Sequence, residues 1–299
     1  MQSEACRSLI KQGYQFFSKK SSAALKPCMW NKRALSGGDM CYKHQFYGID
    51  SHRCVQMTPT LKCNQRCLFC WRSMEHEIEE EEECPPEVIV GGIKKLQKKS
   101  LAGYNPIVES STATEKMWEE ALNPNMIAIS LSGEPTCYSQ LPELIDILNA
   151  GDNTTFLVSN GTRPWMIEKC SPYQTYISLD APERETYLKI CRPVEDYWEN
   201  INESLSLLGK RRSAVRTTVV LGINDHTPEG YAKMYQDSGA DFIEVKGYMH
   251  LGFSMKRLSR NAMPEHSQVR AFAEEIAKYC DYKINDESPV SRVVCMTRD

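Results

Sequence analysis

Apolar and β-branched residues gather in six short runs: Gln56 to Leu61, Met126 to Leu131, Thr155 to Ser159, Thr175 to Leu179, Val215 to Leu221 and Phe242 to Lys246. Runs of this length, bounded by turn residues, predict strands buried on both faces. Between them apolar positions recur at helical spacing over Glu87 to Leu101, Leu141 to Asn149, Trp165 to Cys170, Glu183 to Ile190, Tyr197 to Leu208 and Pro228 to Ser238. A last helix is expected from Pro264 to Tyr279. Strand and helix in alternation predict an α/β fold with a parallel sheet and right-handed crossovers. In such folds ligands are met at the carboxyl ends of the strands, so the residues just beyond each run are the ones to read for chemistry.

The beginning of the chain does not share this pattern. From Pro27 to Arg53 it is rich in Gly, Asp and aromatic residues without strong periodicity, and ligation of a metal would explain how such a segment becomes ordered. The expected organisation is an extension over residues 1–54 and a barrel with a C-terminal helix over residues 55–299, together one compact unit. A length of 299 residues suits one large domain, and 41% hydrophobic with 25% charged residues is ordinary for a globular protein. Arg7, Lys11, Lys19 and Lys20 interrupt the first 25 residues, so neither a membrane span nor a secretory signal is expected and the protein reads as cytoplasmic.

A net charge of −3 conceals a division along the chain. Residues 1–73 hold twelve Lys or Arg against Glu4, Asp39 and Asp50, whereas Glu75 to Glu87 holds eight glutamates and no Lys or Arg. Lys210, Arg211, Arg212 and Arg216 form a second basic group, and Lys246, Lys256, Arg257 and Arg260 a third. Such groups suit the phosphates of a nucleic acid, with a solvated surface as the plainer reading of any one of them. The acidic run Glu79 to Glu83 reads as a solvated loop.

Thirteen cysteines in a chain without a secretory signal argue for reduced thiols kept for metal ligation. Cys63, Cys67 and Cys70 follow the first run as C-x3-C-x2-C. Three thiolates at that spacing can hold one iron–sulfur cluster and leave an iron without a protein ligand, open to a substrate or cofactor. A structural zinc site would want four ligands; the nearest fourth candidate is His76. Upstream, Cys28, Cys41 and Cys54 recur every thirteen residues. They suggest a second open-iron cluster, a zinc site completed by Cys6, His44 or His52, or three unrelated thiols. Cys84, Cys137, Cys170, Cys191, Cys280 and Cys295 read as buried or incidental thiols.

The strand ends are polar. After the second run, Gly133 lets the backbone approach a ligand and Glu134 can accept from an amino group, with a plain turn as the alternative. The third ends in Ser159-Asn160-Gly161-Thr162, a tight turn offering a hydroxyl and an amide. The fourth ends in Ser178-Leu179-Asp180, where Asp180 either meets a cofactor or caps the helix that follows. Beyond the sixth lie Lys246, Tyr248, His250, Phe253, Arg257 and Arg260. There Tyr248 or Phe253 can stack on a base drawn from its stack, and Arg257 or Arg260 can meet phosphate.

The Cys63-x3-Cys67-x2-Cys70 run resembles that of the radical S-adenosylmethionine (radical SAM) superfamily. Together with C-x12-C-x12-C ahead of it, Ser-Leu-Ser-Gly-Glu-Pro-Thr, Ser-Asn-Gly-Thr, Ser-Leu-Asp-Ala-Pro and Glu244-Val-Lys-Gly-Tyr-Met-His250, nearly the whole chain resembles the 4-demethylwyosine synthase family. The resemblance implies a partial (β/α)6 TIM-like barrel, two 4Fe-4S clusters and S-adenosylmethionine, with Phe69 against the adenine and Gly133, Glu134, Ser159, Asn160, Ser178 and Asp180 around the cofactor. It implies that a 5′-deoxyadenosyl radical takes hydrogen from the N1-methyl group of N1-methylguanosine at position 37 of tRNA-Phe. The carbon radical then adds to pyruvate, and loss of the pyruvate carboxyl carbon with ring closure gives the tricyclic base.

Lys43 matches the family's proposed Schiff-base lysine; chelation of pyruvate by the second cluster is the other route, and a surface or phosphate-binding lysine the plainer one. The chain looks like the short archaeal-type form without a flavodoxin-like domain, which implies a separate electron donor of flavodoxin or ferredoxin type. A monomer is expected. Two other readings stay open: a different radical SAM enzyme acting on RNA or protein, which would not require Cys28, Cys41 and Cys54 together, and a non-catalytic zinc-bearing RNA-binding protein.

Overall fold

The β-branched runs become strands close to where they are expected, because their side chains fill both faces of a pleated sheet. The computed structural model describes residues 4–73, 82–104 and 115–298; His76 and the first part of the acidic run, Glu79, Glu80 and Glu81, lie outside the described residues. The chain forms two compact units, Met1–Lys62 with His76–Leu157 and Lys169–Tyr173, and Cys63–Glu75 with Val158–Glu168 and Gln174–Asp299. The boundary expected at residues 54 and 55 falls inside the first.

In the first unit, β1 (Gln15–Phe16), β2 (Ala24–Leu25) and β3 (Cys54–Thr58) pair antiparallel in that order. β4 (Met126–Ile129) pairs parallel with β3 and with the start of β5 (Thr154–Ser159), Cys54 lying opposite Met126 and Met126 opposite Thr154. β3 stops three residues before the expected Leu61 for a reason visible in its hydrogen bonds. The Thr60 carbonyl accepts from the Thr58 hydroxyl at 2.5 Å, and the Leu61 N–H donates to Ser22 Oγ at 2.9 Å, so both leave the ladder without being orphaned.

The helices here are α1 (Glu4–Lys11), α2 (Met29–Leu35), α3 (Tyr42–Tyr47), α4 (Pro86–Leu101), α5 (Glu115–Leu122) and α6 (Leu141–Ala150). Ile89, Ile93, Gln97 and Leu101, four residues apart, form the buried stripe of α4. Leu35, Leu101 and Ala121 pack together and so join α2 to α4 and α5. Two helices therefore stand in the segment from Pro27 to Arg53 that lacked a readable period.

In the second unit, β6 (Gln174–Ser178), β7 (Ser213–Val219) and β8 (Phe242–Gly247) run parallel, with α7 (Pro164–Lys169), α8 (Arg184–Cys191), α9 (Trp198–Ser206), α10 (Pro228–Ser238) and α11 (His266–Ala277). The strands expected from the apolar runs are parallel here, and two strands outside those runs join them antiparallel. β10 (Val293–Thr297) pairs antiparallel with β8, and β9 (Lys283–Ser288) antiparallel with β10. Lys283–Ser288 is polar and partly exposed along its length, as an edge strand is, and carries no apolar run to announce it. Tyr231, Tyr235, Ile243, Val245, Val269, Ile276, Val294 and Met296 belong to one core cluster. Among the described residues no helix is long and apolar enough to cross a membrane.

Arg216 and Glu244 stand opposite each other on β7 and β8, and Arg216 Nε donates to Glu244 Oε2 at 2.7 Å. Glu244 is fully buried, and the guanidinium also lies 5.0 Å from the Tyr176 ring centroid. Removing one partner of such a pair strands the other charge in low dielectric. Arg216→Ala is expected to cost about 3–5 kcal/mol in urea denaturation, and a loss below about 1 kcal/mol would show that Glu244 is neutralised some other way.

Candidate metal centres

Cys28 and Cys41 occupy the positions that start α2 and α3, and Cys54 opens β3. The Asn31 N–H donates to Cys28 Sγ at 3.3 Å, so the first thiol caps its helix. These elements bring all three cysteines and Lys43 together. Burial pushes the Cys54 thiol up, the neighbouring Cys28 and Cys41 push it further, and the Lys43 charge opposes them. Burial raises Cys28 too, against N–H donors from Asn31 and Trp30 and against Lys43. Lys43 sits on α3 with its Nζ 5.3 Å from the Phe156 ring centroid.

The histidines proposed as zinc ligands are engaged with other groups. His44 Nδ1 lies 2.6 Å from the Ile49 carbonyl, and His52 Nε2 lies 2.6 Å from Glu120 Oε2.

Gly133 also belongs to the first unit and has φ +78°; a Cβ there would collide with the Thr60 carbonyl oxygen and lie 2.9 Å from Leu61 Cα. Only glycine fits that left-handed, closely approached position. Glu134 is buried; its N–H donates to the Lys62 carbonyl at 2.7 Å, and its Oε1 accepts from the Thr136 N–H and hydroxyl.

The loop from Cys63 to Arg72 lies in the second unit and is fastened along its backbone. Arg66 N–H donates to the Cys191 and Arg192 carbonyls, Leu68 N–H to Ile190, and Val194 N–H to Asn64. Arg192 takes a left-handed φ of 47° where this lacing turns the chain. Burial alone would lower the Arg72 guanidinium, yet Cys63, Cys70 and Cys67 hold it above its ordinary value, which places it beside all three thiols. Phe69 is half-buried against the core cluster. A fourth thiol, missed in the sequence, stands here: a hydrogen bond with buried Cys191 is the first cause raising Cys67, followed by burial and by the charges of Cys191, Cys70 and Asp180. No spacing rule links Cys191 to the triad, since it arrives from the end of α8.

The strand ends gather around the same loop. Asn160 Nδ2 donates to Asn64 Oδ1 at 2.9 Å, Asn64 Nδ2 to Thr162 Oγ1 at 2.8 Å, and Thr162 Oγ1 to Asn160 Oδ1 at 2.8 Å, a closed ring of side chains. Ser159 Oγ accepts from Gly161 N–H, which fixes the turn. Ser178, Asp180, Gln65 and Cys191 line one small cavity. Asp180 is not a helix cap: that position is Glu183, while Asp180 Oδ1 accepts from the Thr218 N–H at 2.7 Å.

The residues after β8 divide. Tyr248, expected as a stacking platform, is 1% exposed and donates to Ser254 Oγ at 2.9 Å, so its ring belongs to the core and the expectation is corrected. Lys246 Nζ donates to the Ser291 carbonyl, and His250 Nδ1 lies 3.3 Å from the Tyr248 hydroxyl. Arg257 turns onto the cysteine loop. Arg260 is exposed, as are Met249, Leu251 and Met255, and Lys256 Nζ lies 4.9 Å from the Phe253 ring centroid.

Among the described residues no three ligating side chains close around a point suited to a single metal ion. A four-iron cluster does not require that, because each thiolate holds a different iron. Three thiols beside a guanidinium in a fastened loop fit such a cluster at Cys63, Cys67 and Cys70, and the glycine-only approach at Gly133 fits a tightly constrained strand end of the kind a cofactor site needs.

Two outcomes follow from these local geometries. Gly133→Ala is expected to cost at least about 1–2 kcal/mol for the left-handed backbone alone, and to weaken S-adenosylmethionine binding measured by equilibrium dialysis. Burial pushes the Asp180 carboxyl up to about 6, against the Thr218 donors and Arg216. A carboxyl raised on folding adds stability that is full below its unfolded value and is lost as pH rises through about 6. In cluster-free protein Asp180→Asn should therefore raise the denaturation midpoint above about pH 7, with the gain shrinking below about pH 4; a pH-independent difference would contradict the burial argument.

Residues 57–235 match the radical SAM superfamily model, and residues 237–298 match the model for wyosine base formation. The chain is 39% identical to the S-adenosyl-L-methionine-dependent tRNA 4-demethylwyosine synthase of Methanocaldococcus jannaschii, over 99% of this chain and 96% of that one. It is 42% identical to the synthase of Pyrococcus horikoshii, over 100% of this chain and 90% of that one. A solved structure of TYW1 with a lysine-pyruvate adduct bound is similar at a TM-score of 0.90 and 38% identity, covering 100% of this chain and 96% of that chain. The fold class is thus the partial (β/α)6 barrel of the radical SAM type, with S-adenosylmethionine and a 4Fe-4S cluster as cofactors of the superfamily. The chain is a radical SAM enzyme and belongs to the tRNA 4-demethylwyosine synthase family.

Proposed function

We propose that this protein condenses N1-methylguanosine at position 37 of tRNA-Phe with pyruvate to form 4-demethylwyosine. The observation that carries the reading is the position of Lys43 among Cys28, Cys41 and Cys54. The lysine-pyruvate adduct in the similar TYW1 structure supports it. Cys63, Cys67 and Cys70 would hold the 4Fe-4S cluster that meets S-adenosylmethionine, and Cys28, Cys41 and Cys54 would hold a second. When bound, the first cluster would relay an electron to S-adenosylmethionine, and the second would offer an open iron to the pyruvate carboxylate.

The chain's own residues do the rest. The Lys43 amine adds to the pyruvate ketone, water leaves, and a protonated Schiff base results. Phe156, 5.3 Å from Nζ, offers its ring face to that cation. Gly133 and Glu134 at one strand end, and Ser159, Asn160, Ser178 and Asp180 at others, bind and orient the cofactor, with Phe69 beside the adenine. Lys246 and His250, with exposed Arg260, form the polar part of the tRNA contact, and exposed Met249, Leu251 and Met255 its apolar part. A separate flavodoxin- or ferredoxin-type protein delivers electrons to a monomer in the cytoplasm.

The test is anaerobic incubation of cluster-loaded protein with N1-methylated tRNA, pyruvate and a reductant, followed by nucleoside analysis. Wild type should form the tricyclic base, and its absence overturns the assignment. Lys43→Arg should form none and retain no pyruvate after borohydride reduction in intact-mass analysis, yet still release 5′-deoxyadenosine. Trapping of pyruvate by Lys43→Arg at the wild-type level would remove Lys43 from the reaction.

A further inference from the structure

We propose that Arg257 is a positioning residue for the cluster loop, rather than a phosphate contact. Its Nε donates to the Leu68 carbonyl at 3.2 Å, and its Nη2 donates to the carbonyls of Cys70 and, at 3.4 Å, of Arg72. The carbonyl between them belongs to Trp71 and accepts from the Phe253 N–H at 2.8 Å. Four carbonyls of residues 68–72 are thus taken by one short segment, Phe253 to Arg257.

The approach of the two segments is close enough to demand a glycine. Gly252 has φ +59°, and a Cβ there would collide with the Trp71 carbonyl oxygen and lie 3.3 Å from Trp71 Cβ. On the other side the loop is already fixed, since Leu68 N–H donates to the Ile190 carbonyl. A guanidinium suits the task because its planar fork offers several N–H donors in fixed directions, whereas an ammonium offers a point charge. Arg257 is half-buried and committed to these carbonyls, while Arg260, three residues on, is exposed. The two arginines that the sequence groups together therefore have different tasks: Arg257 holds the backbone that carries Cys67 and Cys70, and Arg260 faces solvent.

The inference rests on the reading of Cys63, Cys67 and Cys70 as ligands of a 4Fe-4S cluster. Cluster-loaded wild type, Arg257→Ala and Arg257→Lys are compared by release of iron to a chelator, by the electron paramagnetic resonance signal of the reduced cluster, and by tRNA binding across a salt series. Loss of an outer partner of a metal site costs about 10–100-fold in affinity. Iron release from Arg257→Ala should be faster by about tenfold or more, with an altered signal.

Arg257→Lys keeps the charge but not the fork, so it should also lose iron faster, and it serves where the alanine variant does not fold. Neither variant should change the salt dependence of tRNA binding. Wild-type iron retention and an unaltered signal in Arg257→Lys would overturn the proposal. A fall of about one in the salt slope for Arg257→Ala, with the cluster unaffected, would make Arg257 a phosphate contact instead. Wild type that holds no cluster would sink the ligand reading itself, a result distinct from a cluster indifferent to Arg257.

Discussion

The second unit depends on holding ten residues of irregular backbone still while their three thiols remain available. An α-helix or a ladder would satisfy the peptide groups of residues 63–72 internally, but it would also dictate where the side chains point. Irregular backbone leaves that freedom and must find its partners elsewhere, since an unpaired buried peptide group costs about 1–3 kcal/mol. Here they come from sequence-distant elements: carbonyls of residues 190–192 at the C-terminal end of α8, the Asn64, Asn160 and Thr162 ring at the end of β5, and Arg257 with the Phe253 N–H beyond β8. The loop is consequently the place where the ends of several βα units are made to agree.

The first triad in the chain is built differently. Cys28, Cys41 and Cys54 stand at the starts of two short helices and a strand, so regular elements aim the thiols and no long loop needs fastening. The charge beside them also differs in kind. Cys63, Cys67 and Cys70 have the guanidinium of Arg72, which stays charged and unreactive, whereas Cys28 and Cys54 have the amine of Lys43. An amine can become a nucleophile, and a guanidinium cannot at ordinary pH. On the proposed reading that difference separates a site that makes a radical from a site that prepares its acceptor.

How much of this was legible follows the range of each interaction. Six strands were readable because burial on both faces writes a continuous apolar run, and the two triads because ligand type and spacing are local properties. The edge strand Lys283–Ser288 was not: it is partly exposed, and its pairing with Val293–Thr297 leaves no apolar alternation in its own residues. Tyr248 looked available for stacking because it follows a strand, yet its ring is enclosed by packing that no local pattern records. The contacts of Cys191 and Arg257 went unread for the same reason. Each acts on a loop more than 100 residues earlier, and only the path of the chain brings them there.

On the proposed reading of both triads as cluster ligands, burial of the thiols also sets the order in which charge appears. In the absence of iron, desolvation raises Cys28 and Cys54, and the hydrogen bond with Cys191 and then burial raise Cys67, so these groups hold their protons. That is the stable arrangement for a cluster-free chain, since several thiolates and the carboxylate of Asp180 gathered in a poorly solvated space would repel one another. Ligation needs thiolates, so arrival of iron must expel those protons, and the positive irons then replace the lost solvation. Cys191 is left in a different position from its neighbour. Once Cys67 is a ligand it can accept a hydrogen bond but no longer donate one, so the only polar contact left to the pair runs from the Cys191 thiol to the ligating sulfur. On the proposed reading, a thiol read only as buried or incidental in the sequence joins the Arg72 guanidinium beside the sulfurs of a cluster.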